Sequence, residues 1–77
     1  MEIKEFIQNF ADQFDETDAS VFTAETVFHD LEDYSSLVAL SIIAMIDEEY
    51  GVTIGANEMR SSVTIQDLFD QVKAKAE

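Results

Sequence analysis

Apolar residues near the start of the chain recur at Ile3, Phe6, Ile7, Phe10 and Phe14, spaced i, i+3, i+4, i+7 and i+11. At about 100° per residue this spacing makes one apolar stripe, with Glu2, Lys4, Glu5, Gln8 and Asp12 on the remaining surface, and predicts an amphipathic helix. The helix is expected to fade near Asp15, where Asp15-Glu16-Thr17-Asp18 supplies turn-forming, mutually repelling residues. Residues 15–35 then hold no sustained period. Isolated apolar anchors at Val21, Phe22, Val27, Phe28 and Leu31 predict a long ordered loop pinned to a core, and loops of that length in compact domains are often functional.

A second helix is expected to begin at Ser35 or Ser36, whose hydroxyl can accept a free amide of the first turn. It runs through Leu37-Val38-Ala39-Leu40-Ser41-Ile42-Ile43-Ala44-Met45-Ile46-Asp47-Glu48-Glu49-Tyr50 and stops at Gly51, the residue type favoured just past a helix end. One face carries Ala39, Ile42, Ile43, Ile46 and Tyr50. The opposite face carries Leu37, Leu40, Ser41, Ala44, Asp47 and Glu48, with Met45 at its border. A domain this small cannot bury such a helix on every side, so the second face is a candidate contact surface.

Val52 and Ile54 flank a connector containing Gly51 and Gly55, and residues 56–61 are expected to form a brief helical turn anchored by Met59. The last helix starts at Thr64 as N-cap, with Asp67 in a near-capping-box position and Ile65, Leu68, Phe69 and Val72 inward. Lys73 and Lys75 lie in its final turn, where cations suit the helix dipole. With no alternating strand pattern, the expected fold is all-α: three main helices plus one short helix, and a long loop between the first and second.

Composition narrows the function. The 77 residues make one domain by expectation. They hold 47% hydrophobic residues, too many for a disordered acidic tail. The absence of Cys excludes disulfides and thiolate metal sites, and a single His excludes a His cluster. No apolar run approaches the roughly 20 residues of a membrane span, and the N-terminus lacks a signal-peptide profile, so a soluble, cytoplasmic protein is expected. A monomer is the default expectation, with the apolar second face of the second helix able to support weak self-association. The net charge of −13 repels phosphate backbones and anionic lipid, leaving basic protein patches or divalent cations as natural partners. Thirteen of the seventeen acids lie between Lys4 and Arg60, a stretch with no other Lys or Arg.

No catalytic set is legible. One His and no Cys assemble neither a Ser-His nor a Cys-His nucleophile, and nothing resembles a Gly-rich phosphate loop. Asp15-Glu16-Thr17-Asp18 lacks the alternating oxygen ligands and closing Glu of a calcium loop, so no metal site is expected. His29 reads as a solvated loop residue. The serine pair Ser35-Ser36 stands out instead. Either hydroxyl serves as a cap, and a hydroxyl at a helix start, beside free backbone amides, also favours a phosphodiester.

The stretch Phe28-His29-Asp30-Leu31-Glu32-Asp33-Tyr34-Ser35-Ser36-Leu37, followed by the apolar second helix with its Asp47-Glu48-Glu49-Tyr50-Gly51 ending, resembles the acyl carrier protein family. The likeness extends over essentially the whole chain, from the first-helix stripe to Thr64-Ile65-Gln66-Asp67-Leu68. The resemblance implies a non-enzymatic carrier with 4′-phosphopantetheine on Ser36, which Leu37 follows as the family pattern requires, and acyl groups held as thioesters. It implies a phosphopantetheinyl transferase as modifying partner. It also implies acyl-transferring or synthase enzymes whose basic patches meet Leu37, Leu40, Ser41, Ala44, Asp47 and Glu48. Two positions depart from the pattern. Ser35 replaces the usual Asp, which in the family serves the transferase and its metal ion, with Asp33 the nearest substitute carboxylate. Val38 and Ser41 stand where acids are common. The first departure leaves open a carrier-like interaction module without the prosthetic group.

Overall fold

Four α-helices form in the computed structural model, which describes residues 2–76: α1 (Ile3–Ala11), α2 (Ser36–Tyr50), α3 (Ala56–Ser61) and α4 (Ile65–Ala76). Single 3-10 turns at Ala19–Val21 and Phe28–Asp30 punctuate the α1–α2 connection. No strand occurs among the described residues. The all-α expectation, with one short helix and one long loop, holds.

The core is built on phenylalanine. Phe6 and Phe10 of α1 have no exposed surface. Phe6 meets Phe69 of α4 edge-on at 5.3 Å, and Phe10 meets Phe28 from the loop at the same distance. Such rings contribute through buried area and through their tilted geometry. The remaining inward residues of α4, namely Ile65, Leu68 and Val72, are fully buried, as their spacing predicts.

Two details differ from the sequence reading. α1 ends at Ala11 rather than near Asp15, because the amides of Gln13 and Phe14 bond back to the Phe10 and Ala11 carbonyls three residues earlier. This tighter turn still brings Phe14 inward, 4.9 Å from Phe22. Val21 and Val27 are exposed rather than anchoring. In a 3-10 turn successive side chains diverge by about 120°, so one residue of each adjacent pair faces the core. Phe22 and Phe28 take those places.

The loop is stitched to α4 through the backbone. A helix start leaves several amides without intrahelical partners. Here Ile65 N–H donates to the Thr26 carbonyl and Gln66 N–H to the Ala24 carbonyl. Asp67 N–H donates to Thr64 Oγ1, and Asp67 Oδ2 accepts from the amides of Val63 and Thr64. The expected capping box at Thr64 is therefore present, and the long loop completes it.

Candidate functional site

The loop delivers the chain to Ser35, whose extended backbone (φ −147°, ψ 173°) precedes α2 and whose Oγ accepts from Val38 N–H at 3.2 Å. Ser35 is the cap. Ser36 is the first residue within the helix and is exposed. The adjacent serines therefore divide the two roles that the sequence left open, one hydroxyl holding the helix start and the other facing solvent. At the far end Gly51 adopts φ +65°, a left-handed conformation that costs glycine little, and its N–H closes on the Asp47 carbonyl.

α2 turns Ile42, Ile46 and Met45 into the core, with Val38, Ala39, Ile43 and Tyr50 half-buried around them. Met45 was expected at the border of the outward face and is instead 6% exposed. The buried arc is rotated towards the α1 side of the helix. The same rotation leaves Ala39 and Ile43 half uncovered on the side facing α3, where they join Tyr34, Ser36, Leu40, Ala56, Met59 and Arg60 around an open groove of about 350 Å³. Ser36 thus stands beside a largely apolar groove.

The structure separates the remaining predicted contact residues. Leu37 and Leu40 are 75% and 62% exposed, the two most exposed large apolar side chains of the described residues. Leu40 belongs to the groove beside Ser36. Ser41, Ala44 and Glu48 line a second depression on the opposite flank of α2, shared with Asn9, Asp12 and Gln13. Asp47 and Glu48 are both exposed, and Ser41 is half-buried.

The other groove wall, α3, is held by polar contacts at both ends. Glu58 Oε1 accepts from Gly55 N–H at the helix start, and Glu58 pairs with Lys75 of α4. The Lys75 ammonium first, and then the Gly55 amide, hold the Glu58 carboxyl below the usual carboxylate range. At the other end His29 Nε2 lies 3.0 Å from the Met59 carbonyl and 2.9 Å from the Ser62 carbonyl. Two carbonyl acceptors require that Nε2 carry a proton and donate. Gln71 Nε2 adds bonds to Ser62 Oγ and the Glu58 carbonyl. His29 is therefore not simply a solvated loop residue: it ties the loop to the end of α3 while its ring packs on Phe28 and Tyr34. Burial raises the Tyr34 phenol above its ordinary value.

The model of the phosphopantetheine attachment site family matches residues 4–72. The chain belongs to that family. No curated protein and no solved structure matches the chain. Domains of this family are non-catalytic carriers with a covalently attached 4′-phosphopantetheine group, so this protein is a phosphopantetheine carrier and not an enzyme. The residues around the groove fit such a group. Exposed Ser36 lines the groove together with mostly apolar residues, and Arg60 is the one basic residue of its wall.

For the carrier, the departure at Ser35 has a clear local consequence. Ser and Asp are comparable N-caps, so the helix start is preserved while the first turn of α2 carries no acid. Asp33 is engaged elsewhere. Its Oδ2 accepts from Thr17 Oγ1 at 2.6 Å, and it shares a depression with Gln13, Asp15, Glu16 and Val38 rather than the groove of Ser36. Sequence reasoning missed Arg60, Tyr34 and His29 as parts of the site. Only Arg60 left a signal, as the one basic residue between Lys4 and Lys73.

Proposed function

We propose that the protein is an acyl carrier protein whose 4′-phosphopantetheine arm is attached to Ser36, serving fatty-acid or related lipid or polyketide biosynthesis. The observation that carries this reading is the division of labour in the serine pair: Ser35 caps α2, and exposed Ser36 opens on the apolar groove. When bound, the arm supplies a terminal thiol on which an acyl group is held as a thioester. Ser36 anchors the arm, and Ala39, Leu40, Ile43 and Met59 offer apolar surface from which water is excluded.

The docking surface is Leu37, Leu40, Ser41, Ala44, Asp47 and Glu48. Leu37 and Leu40 supply apolar contact area next to the attachment point. Asp47 and Glu48 meet basic patches on a phosphopantetheinyl transferase or on synthase enzymes. Long-range attraction from a net charge of −13 speeds encounter more than it tightens the complex, which suits a carrier that must dissociate. No helix of the described residues is long and apolar enough to cross a membrane; our reading is of one carrier domain over 1–77 that acts as a cytoplasmic monomer.

Intact-protein mass spectrometry after incubation with coenzyme A, magnesium and a broad-specificity phosphopantetheinyl transferase tests the assignment. Wild type and Ser35→Ala gain one phosphopantetheine, and Ser36→Ala gains none while remaining folded. Gain by Ser36→Ala and not by Ser35→Ala would move the attachment to the other serine. The first turn of α2 lacks an acid and Asp33 is tied to Thr17, which favours one alternative, an interaction module that binds a partner through α2 without the group. Refusal of the folded wild type to accept mass from several transferases would select it.

A further inference from the structure

The four basic residues of the chain occupy different settings. Lys75 pairs with Glu58, the one ion pair among the described residues. Lys73 lies with it in the last turn of α4, where the helix dipole favours a cation. Lys4 lies beside Glu2 and Glu5 on the outer side of α1. Arg60 is different. It belongs to the wall of the groove that contains Ser36, among Ala39, Leu40, Ile43 and Met59.

Two observations set Arg60 apart from an ordinary solubilising residue. Its guanidinium donates from Nη2 to Asn57 Oδ1, one turn back on α3. An amide oxygen orients the group without neutralising it, so the cation keeps its charge. The Arg60 guanidinium also plays no part in capping α3, where the Glu58, Met59 and Ser62 carbonyls accept from other groups. Met59 and Ser62 accept from His29, and Glu58 accepts from Ser62 and Gln71. Arg60, on the wall of the groove that holds Ser36, therefore carries an oriented guanidinium with no ion-pair partner among the described residues and no capping role.

We infer that Arg60 binds the phosphodiester of the arm on Ser36 and so directs the first part of that arm along the groove between α2 and α3. The inference rests on Ser36 being the attachment residue. The chemistry is matched: the planar guanidinium presents paired N–H donors to the two non-bridging oxygens of a phosphodiester. The need is also present. A further negative charge is added to a chain of net charge −13, and Arg60 offsets it locally. A carboxylate on the cargo would share this chemistry, so the test uses the arm with its free thiol, where the phosphodiester is the sole anion of the arm.

The test is 31P NMR on full-length protein whose conversion has been verified by intact mass, comparing wild type, Arg60→Lys, Arg60→Gln and Lys73→Gln. In wild type the phosphorus resonance stands apart from that of the urea-denatured protein, and the Arg60 Nε–Hε signal moves between the unmodified and modified forms. In Arg60→Gln the phosphorus resonance moves most of the way to the denatured position. Arg60→Lys lies between, and Lys73→Gln, which changes net charge equally, stays with wild type. A phosphorus resonance identical in Arg60→Gln and wild type, with an unmoved Nε–Hε signal, would overturn the inference while leaving Ser36 as the attachment residue. Mass added at a residue other than Ser36, or none added, would overturn that assignment and this inference with it. Should Arg60→Gln not fold, the Arg60→Lys spectrum and the wild-type Nε–Hε signal give the same decision.

Discussion

α1 buries Phe6 and Phe10 completely and has no side-chain cap, whereas α3 buries Met59 alone and has polar contacts at both ends. Both are short and both pack on α4. α1 is held by aromatic area: Phe6 lies against Phe69 and Tyr50, and Phe10 against Phe14, Phe22 and Phe28. α3 is held by Glu58 and Lys75 at one end and by His29, Ser62 and Gln71 at the other. A six-residue helix has little surface to bury and no intrinsic stability of its own, so its position depends on bonds that water can replace. The groove beside Ser36 therefore has one wall fixed by the core, α2, and one wall fixed by polar bonds.

The comparison is most severely tested at Phe10. Phe10→Ala removes a ring packed against four others and costs about 3–5 kcal/mol, a large share of the roughly 5–15 kcal/mol of a typical domain. The urea midpoint falls steeply and all four helices melt together. A loss below about 1 kcal/mol would show that α1 is not the apolar keystone assigned here.

His29→Ala comes next and acts locally. It removes the donor shared by the carbonyls of the buried Met59 and Ser62 and costs about 1–3 kcal/mol. Hydrogen exchange rises in α3 and at residues 59–62 while α1 amides keep their protection. Equal acceleration in α1 would erase the distinction between the two helices.

A cap test extends the contrast to α2, which has both an apolar face and a side-chain cap. Ser35→Ala destabilises by about 1 kcal/mol. Ser35→Asp keeps the capping oxygen, adds a negative charge at the positive end of the helix dipole, and is at least as stable as wild type. A thermal melt in which Ser35→Ala matches wild type would remove Ser35 from its assigned role.

The smallest effect is at Glu58. Its carboxyl titrates below the ordinary value because it is bound to Lys75 and to the Gly55 amide. A carboxyl with a lowered folded-state pKa stabilises fully above its unfolded value and loses that contribution as pH falls through the folded one. Glu58→Gln is therefore slightly less stable than wild type at pH 7, and the difference closes in acid below the usual carboxylate range. A difference that persisted there would mean that packing rather than charge holds the start of α3.

The elements that could be read in advance are those whose signal is local and repeated. The boundaries of α2 follow from a serine cap and a terminal glycine, and those of α4 from the Thr64–Asp67 box. The attachment region is legible because a serine pair, an apolar helix and a trailing acidic run lie contiguous in sequence. The misread features depend on partners far along the chain. His29 meets α3 thirty residues later, and Asp33 is claimed by Thr17 sixteen residues earlier. Val21 and Val27 lost core positions to adjacent phenylalanines once the loop turned.

The sequence by itself determined where helices form, which stripe of each is apolar, how the charge is distributed and which serine pair matters. These are properties of near neighbours and of periodicity, and they survive without knowledge of the fold. Only the tertiary structure decided how far α2 is rotated into the core, and hence that Ala39 and Ile43 line a groove with Ser36 and Arg60. Only it assigned His29 to the carbonyls of α3. Rotation of a helix and pairing across a loop are set by the shapes that meet there, and no residue spacing along the chain encodes them.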